Sequence, residues 1–272
     1  MNFYQRLRHI QQQNNSLLCV GLDSDINKIS RQLLQSENPI LEFNKRIIEA
    51  TKDFVCAYKL NLAFYEALGE QGWRTVKETL AAIPPDIITI GDAKRGDIGN
   101  TAQMYAKSLR DDFGFSSSTV NPYMGFDSVE PFIREEDHGA FILALTSNPG
   151  AKDFEYLNVR DKPLYQHVIA KVKKWNVKNN CGLVVGATRP KELQHIRRLV
   201  PDMPLLIPGV GAQGGDLTAS VRYGCTAAGD MAVINSSRGI LYASSGEDFA
   251  QAARAAALQL RDDINKIRSK YF

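Results

Sequence analysis

No run of apolar residues in this sequence approaches the roughly 18 that a membrane-crossing helix needs, so no span is expected. The opening stretch, MNFYQRLRHIQQQNN, is polar and amphipathic and lacks the apolar centre of a secretion signal. Cysteine is scarce. The four residues, Cys19, Cys56, Cys181 and Cys225, form no Cys-x-x-Cys pair and no Cys/His ligand spacing. That excludes a zinc site of the usual kind, and no metal is expected. Cys19, Cys56 and Cys181 lie in or beside apolar runs and read as small core residues, which points to a reducing, cytoplasmic setting. Charge of one sign is also missing: 33 Lys and Arg against 30 Asp and Glu leave a net +3. Nucleic acid is therefore not expected as the main partner, although a local basic pocket for a phosphate stays open. No low-complexity linker divides the 272 residues, so one domain over 1–272 is expected.

What is present is an alternation of short apolar runs and longer helical patterns. Eight runs read as buried strands: 17–23 (LLCVGLD), 54–61 (FVCAYKLN), 86–94, 117–123 (SSTVNPY), 140–147 (AFILALTS), 181–188 (CGLVVGAT), 204–211 (PLLIPGVG) and 232–238 (AVINSSR). Helical spacing is seen over 40–51, 101–111, 163–175, 190–199 and 247–270, the last with Phe249, Ala253, Ala256, Leu260, Ile264 and Ile267 on one face. Strand–helix alternation means parallel strands with crossover helices. Eight such units in a chain of this length predict an α/β fold of the closed (β/α)8 TIM-barrel kind rather than an open sheet.

The densest chemistry is at 92–98, Asp-Ala-Lys-Arg-Gly-Asp-Ile, directly after the apolar run DIITIG. In a strand, residues i and i+2 share a face, so Asp92 and Lys94 are expected to point the same way. Asp97 follows Gly96, where the chain can turn. A charge pair about 4 Å apart interacts by roughly 4 kcal/mol at an effective dielectric of about 20. Desolvation offsets that gain, so such a cluster suits a site holding a proton and a field better than it suits stability. Asp23, Lys59, Ser147, Gln213 and Arg238 also fall at or just beyond the C-terminal ends of expected strands, the face where these barrels carry active sites. Singly, Asp23 could cap a turn, Lys59 could snorkel and Ser147 could cap a helix. Their convergence on one rim is the stronger signal.

The seventh run leads into PGVGAQGGD over 208–216, and the eighth into Ser236-Ser237-Arg238-Gly239. Glycines let backbone N–H groups approach an anion, and a helix start favours negative charge. Barrels often bind phosphate with the loops after strands seven and eight, and Arg238 offers a forked donor. Gly209, Gly211 and Gly214 with Asp230 also satisfy a dinucleotide-binding spacing. Only one further strand follows, which a dinucleotide domain could not be built from.

These residues resemble the orotidine 5′-monophosphate decarboxylase family. IGDAKRGDIGNT, 90–101, satisfies every position of that family's signature around Asp-x-Lys-x-x-Asp. VGLD at Asp23, YKLN at Lys59, TSNPGA at Ser147, PGVGAQGGD at Gln213 and SSRG at Arg238 follow in the expected order along nearly the whole chain. Asn121-Pro-Tyr-Met-Gly and the chain length resemble the bacterial branch called type 2. The resemblance implies a homodimer with shared active sites and no cofactor, converting orotidine 5′-monophosphate to UMP and carbon dioxide in the last step of de novo pyrimidine synthesis. It implies a catalytic array of Lys59, Asp92, Lys94 and Asp97, with Asp97, Ile98 and Thr101 reaching across the dimer. It places Asp23 and Lys59 on ribose hydroxyls and Ser147 and Gln213 on the base. It places Gln213, Ser237 and Arg238 on the phosphate, and Gly215 among the substrate-binding residues.

Three other readings compete. Metal-dependent sugar-phosphate decarboxylases and aldolases of the same superfamily share Asp-x-Lys-x-x-Asp, but Lys59 and GAQGGD argue against them. A non-catalytic nucleotide-phosphate sensor would not need Lys94. A class I aldolase would use a barrel lysine as a Schiff base, which borohydride trapping with a carbonyl substrate would distinguish.

Overall fold

Eight parallel strands close a barrel, and each is fed by a segment that the sequence marks as apolar. The computed structural model describes residues 1–210 and 215–272. The strands are β1 (Leu18–Gly21), β2 (Ala57–Asn61), β3 (Ile88–Arg95), β4 (Ser117–Val120), β5 (Gly139–Leu145), β6 (Cys181–Val185), β7 (Leu205–Pro208) and β8 (Ala232–Ser236). Each pairs in parallel with its sequence neighbours, and β8 closes on β1 through Leu18↔Ile234 and Cys19↔Asn235. The α/β TIM-barrel expectation holds. Every strand except β2 and β3 ends before its expected C-terminal limit. Asp23, Ser147 and Arg238 thus stand past the ladder, where the chain can turn their side chains over the barrel mouth.

The connecting helices begin with ordinary capping chemistry. Asn38 accepts the Leu41 N–H ahead of Pro39–Thr51, with proline at the first helical position. The final helix, Phe249–Tyr271, turns Phe249, Ala253, Ala257 and Ile264 into the core. Phe249 stacks on Phe43 at 5.2 Å between ring centroids. Burial of such a side chain contributes roughly 1.5–3 kcal/mol. Cys19, Cys56 and Cys181 are buried free thiols, as their apolar neighbours suggest, and Cys225 is buried and free as well. Among the described residues, no helix is long and apolar enough to cross a membrane.

Several elements are unforeseen, among them the first. The polar opening stretch forms a helix, Phe3–Gln13, with an Asn2/Gln5 capping box. It lies against the N-terminal ends of the strands. Phe3 is fully buried, edge-on to Phe141 at 5.8 Å. Tyr4 donates its hydroxyl to the Cys181 carbonyl at 2.7 Å. Gly139 makes this plug possible: a Cβ there would lie 2.6 Å from the Phe3 ring.

His138, also at this end, is buried, with Nδ1 3.0 Å from the Phe115 carbonyl and Nε2 3.2 Å from Ser118 Oγ. Burial, helped by the Arg110 charge, pulls its pKa from 6.5 down to about 4. Between these values the unfolded chain binds a proton that the folded chain does not, so stability rises with pH there. The native state is expected to be about 3 kcal/mol less stable near pH 4 than near pH 7 on account of this group. Denaturant titrations across that range should show the slope in the parent and a flatter one in His138→Gln. An unchanged slope would remove His138 as its source.

Candidate active site

Strand β2 carries Lys59 into the mouth of the barrel opposite Ile90 of β3, and β3 carries Asp92 two residues further along, opposite Asn61. Both are buried. Lys59 Nζ lies 2.9 Å from Asp92 Oδ2 and 3.5 Å from Asp23 Oδ1. Lys94 Nζ lies 2.6 Å from the other Asp92 oxygen, Oδ1. The order Asp23, Lys59, Asp92, Lys94 is therefore a row of alternating charge. Burial pushes the Asp92 carboxyl up, but the two ammonium groups outweigh it and hold it well below the usual carboxylate range. Burial likewise works against the Lys59 charge, and Asp92 and Asp23 reverse that, holding Lys59 above its usual range.

Asp92 and Lys94 do face the same space, but simple alternation is not the reason. The pairing of β3 with β4 shifts register between Gly91 and Arg95, and Lys94 sits in the left-handed region at φ 49°. For a non-glycine residue that costs roughly 1–2 kcal/mol. A bulge here re-aims a side chain that would otherwise follow the strand's pleat. Thr119 of β4 pins the distortion. Its Oγ1 donates to Asp92 Oδ1 at 2.9 Å and accepts the Lys94 backbone N–H at 2.9 Å. The sequence marks the strand that holds Thr119 but gives no sign of this role, since threonine is an ordinary strand residue.

Lys59, Asp92 and Lys94 line a cavity of about 420 Å³, together with Asp23, Ser147, Ser237 and Arg238. Arg238 makes no ion pair among the described residues, so its forked charge stays available at the rim. It opens the short helix Arg238–Leu241, directly after β8. Asn61, Thr146, Asn148 and Asn235 also line the cavity. All are polar residues at or beside strand ends, and that placement alone could have marked them.

Other expected site residues lie elsewhere. Asp97, Ile98 and Thr101 do not line the cavity. Asp97 Oδ1 accepts the Ile98 N–H at 2.8 Å, Ile98 is 55% exposed, and Thr101 is exposed on the helix Gly99–Lys107. Gly215 does not line it either. Its N–H donates to the Gly209 carbonyl at 3.1 Å, and a Cβ there would fall 2.6 Å from that oxygen, so close chain approach requires glycine. Gln213, with Gly211 and Gly214 of the glycine-rich loop, lies outside the described residues. The helix after that loop, Leu217–Gly224, already has a carboxylate at its start: Asp216 accepts the Ala219 N–H at 3.0 Å. An anion there would meet like charge, which shifts the favourable position towards Ser237 and Arg238.

Fold and site together define a (β/α)8 barrel with a buried lysine–aspartate array at the C-terminal ends of its strands and a free arginine on the same rim. The chain belongs to the orotidine 5′-phosphate decarboxylase / HUMPS family, whose model matches residues 16–256. It is 51% identical over 275 aligned residues to the orotidine 5′-phosphate decarboxylase of Dehalococcoides mccartyi, covering 100% of both chains. It is 50% identical over 268 residues to the enzyme of the same name from a Janthinobacterium species, covering 98% of this chain and 99% of that one. Among solved structures, the Leishmania donovani OMP decarboxylase superposes with a TM-score of 0.86 at 39% identity, over 98% of this chain and 99% of that one.

Proposed function

We propose that this protein decarboxylates orotidine 5′-monophosphate to UMP and carbon dioxide, the last step of de novo pyrimidine synthesis, without a cofactor. The observation that carries the reading is Asp92 held between the Lys59 and Lys94 ammonium groups inside the cavity. When the C6–carboxylate bond breaks, its electron pair stays on C6, where the ring delocalises it poorly. A preorganised cation beside that carbon stabilises the developing charge more than it stabilises the substrate. Lys94, half exposed in the cavity, then gives C6 its proton and recovers one from solvent. Asp92 fixes the ammonium, and Asp23 and Lys59 hold the ribose hydroxyls. Ser147 and Gln213 contact the base and Gln213, Ser237 and Arg238 hold the phosphate, with Gly215 shaping the loop beside it through its bond to Gly209.

Asp97, Ile98 and Thr101 serve the neighbouring site of a homodimer. What supports this is their place outside their own cavity, with large apolar side chains exposed on the same segment, Ile98 and Met104, and on the segment after the neighbouring β4, Tyr123 at 80%. Exposed apolar side chains of this size suit an interaction site. We further propose that residues 1–272 act as one barrel domain in the cytoplasm, in keeping with four unpaired thiols.

The sugar-phosphate reading needs a divalent cation at this carboxylate. Lys59 and Lys94 already place an ammonium on each Asp92 oxygen, and a cation would have to displace them. The Schiff-base reading needs a neutral amine, and Lys59 is held protonated. The test is product identification: equal amounts of UMP and carbon dioxide from orotidine 5′-monophosphate. Inertness towards that nucleotide, with magnesium-dependent turnover of a sugar phosphate, would overturn the reading.

Arg238→Ala is expected to weaken orotidine 5′-monophosphate by about 30- to 150-fold in kcat/KM, the equivalent of roughly 2–3 kcal/mol for a charge-assisted contact. The dephosphorylated nucleoside should be little affected. Equal losses for both would make Arg238 structural.

A further inference from the structure

Between β5 and the helix Leu164–Trp175 the chain makes an excursion that holds a short helix, Ala151–Phe154, and a two-stranded hairpin of Asn158–Val159 with Lys162–Pro163. Glu155 lies between these two elements and turns back to the barrel mouth. Its Oε2 accepts the Thr146 backbone N–H at 2.7 Å, and its Oε1 accepts the Thr146 hydroxyl at 2.8 Å. Thr146 Oγ1 also lies 2.6 Å from the Asn148 side-chain amide, which ties Asn148 to the same hydroxyl by donating its N–H to the oxygen once the amide is turned, while the hydroxyl proton goes to Glu155. Thr146, Ser147 and Asn148 are consecutive residues of the cavity wall.

The clamp has a firm base. The Tyr165 N–H donates to the Glu155 carbonyl at 3.0 Å, which fixes the excursion to its own following helix. Tyr156, the next residue, donates its hydroxyl to Glu192 Oε1 at 2.8 Å and lies under the Arg189 guanidinium at 5.6 Å. Glu155 is thus held by backbone on one side while both its carboxylate oxygens grip one residue on the other. A two-point grip on a backbone N–H and its own side chain fixes position and rotation together.

We infer that Glu155 is a positioning residue, which sets the wall segment Thr146–Ser147–Asn148 and through it the recognition of the base. This rests on the reading that Ser147 faces the base. A group that acts in this way affects ligands that carry a base and spares those that do not, because the phosphate and ribose contacts lie on other strands. Glutamine can replace it, since one amide oxygen can still accept the Thr146 N–H while the amide N–H meets the Thr146 hydroxyl oxygen.

The experiment measures dissociation constants of UMP and ribose 5-phosphate for the parent, Glu155→Ala, Glu155→Gln and Ser147→Ala, with thermal unfolding of each. Glu155→Ala is expected to weaken UMP about tenfold and ribose 5-phosphate less than twofold, with Glu155→Gln within threefold of the parent for both. Equal weakening of both ligands by Glu155→Ala would overturn the inference and leave a general structural role. Parent-like UMP binding in Glu155→Ala, where Ser147→Ala weakens UMP, would overturn it while sparing the reading of Ser147. Parent-like UMP binding in Ser147→Ala would overturn that reading and the inference with it.

Discussion

Lys94→Ala is expected to lower turnover at least about a thousandfold while the protein stays folded. The Lys94 ammonium is the one charge of the array that is both fixed by Asp92 and half exposed in the cavity. Its removal takes away the proton donor and the cation facing C6 together. A loss of 4 kcal/mol or more is in the range of single preorganised groups, and each 1.36 kcal/mol is tenfold. The fold should tolerate the change. Alanine meets about the same cost as lysine at φ 49°, and the Thr119 contact uses the Lys94 backbone N–H, which alanine keeps. Steady-state rates with a circular-dichroism spectrum of each protein decide the matter. Activity within about tenfold of the parent would remove Lys94 from the proton-transfer step.

Mixing two inactive proteins is expected to restore activity. Lys94→Ala and Asp97→Asn are each expected to be inactive alone. Asp97 lies outside its own cavity beside the exposed Ile98, and Gly96 precedes it where the chain leaves β3. In a two-fold dimer each subunit gives and receives the same segment. After unfolding and refolding together, a mixed dimer carries one doubly damaged site and one with both native residues. Random pairing makes half the dimers mixed, so about a quarter of all sites should recover. Mixed dimers that form yet stay inactive would place Asp97 in its own subunit's site.

The barrel was legible because parallel strands are buried on both faces and so read as unbroken apolar runs, each ending where the first polar residue leaves the ladder. The same logic placed Asp23, Lys59, Asp92, Lys94, Ser147 and Arg238 on one rim. Less legible was anything set by a departure from regular geometry. Asp92 and Lys94 share a face through a bulge and a left-handed Lys94, not through strand alternation. Thr119 looks like any strand threonine until β4 is seen beside that bulge. The helix Phe3–Gln13 reads as polar, and only the space that Gly139 leaves shows why Phe3 is buried at the foot of the barrel. Glu155 gives no local signal, because its partner Thr146 is nine residues away across a turn.

The central claim is that fixed protein charges, without a bound metal, drive the decarboxylation. The most direct measurement is the fall in orotidine 5′-monophosphate absorbance on adding the parent protein, with and without excess EDTA after extensive dialysis against the chelator. The array predicts equal rates in both and no gain when magnesium is added back. A rate that collapses in EDTA and returns with magnesium would contradict it.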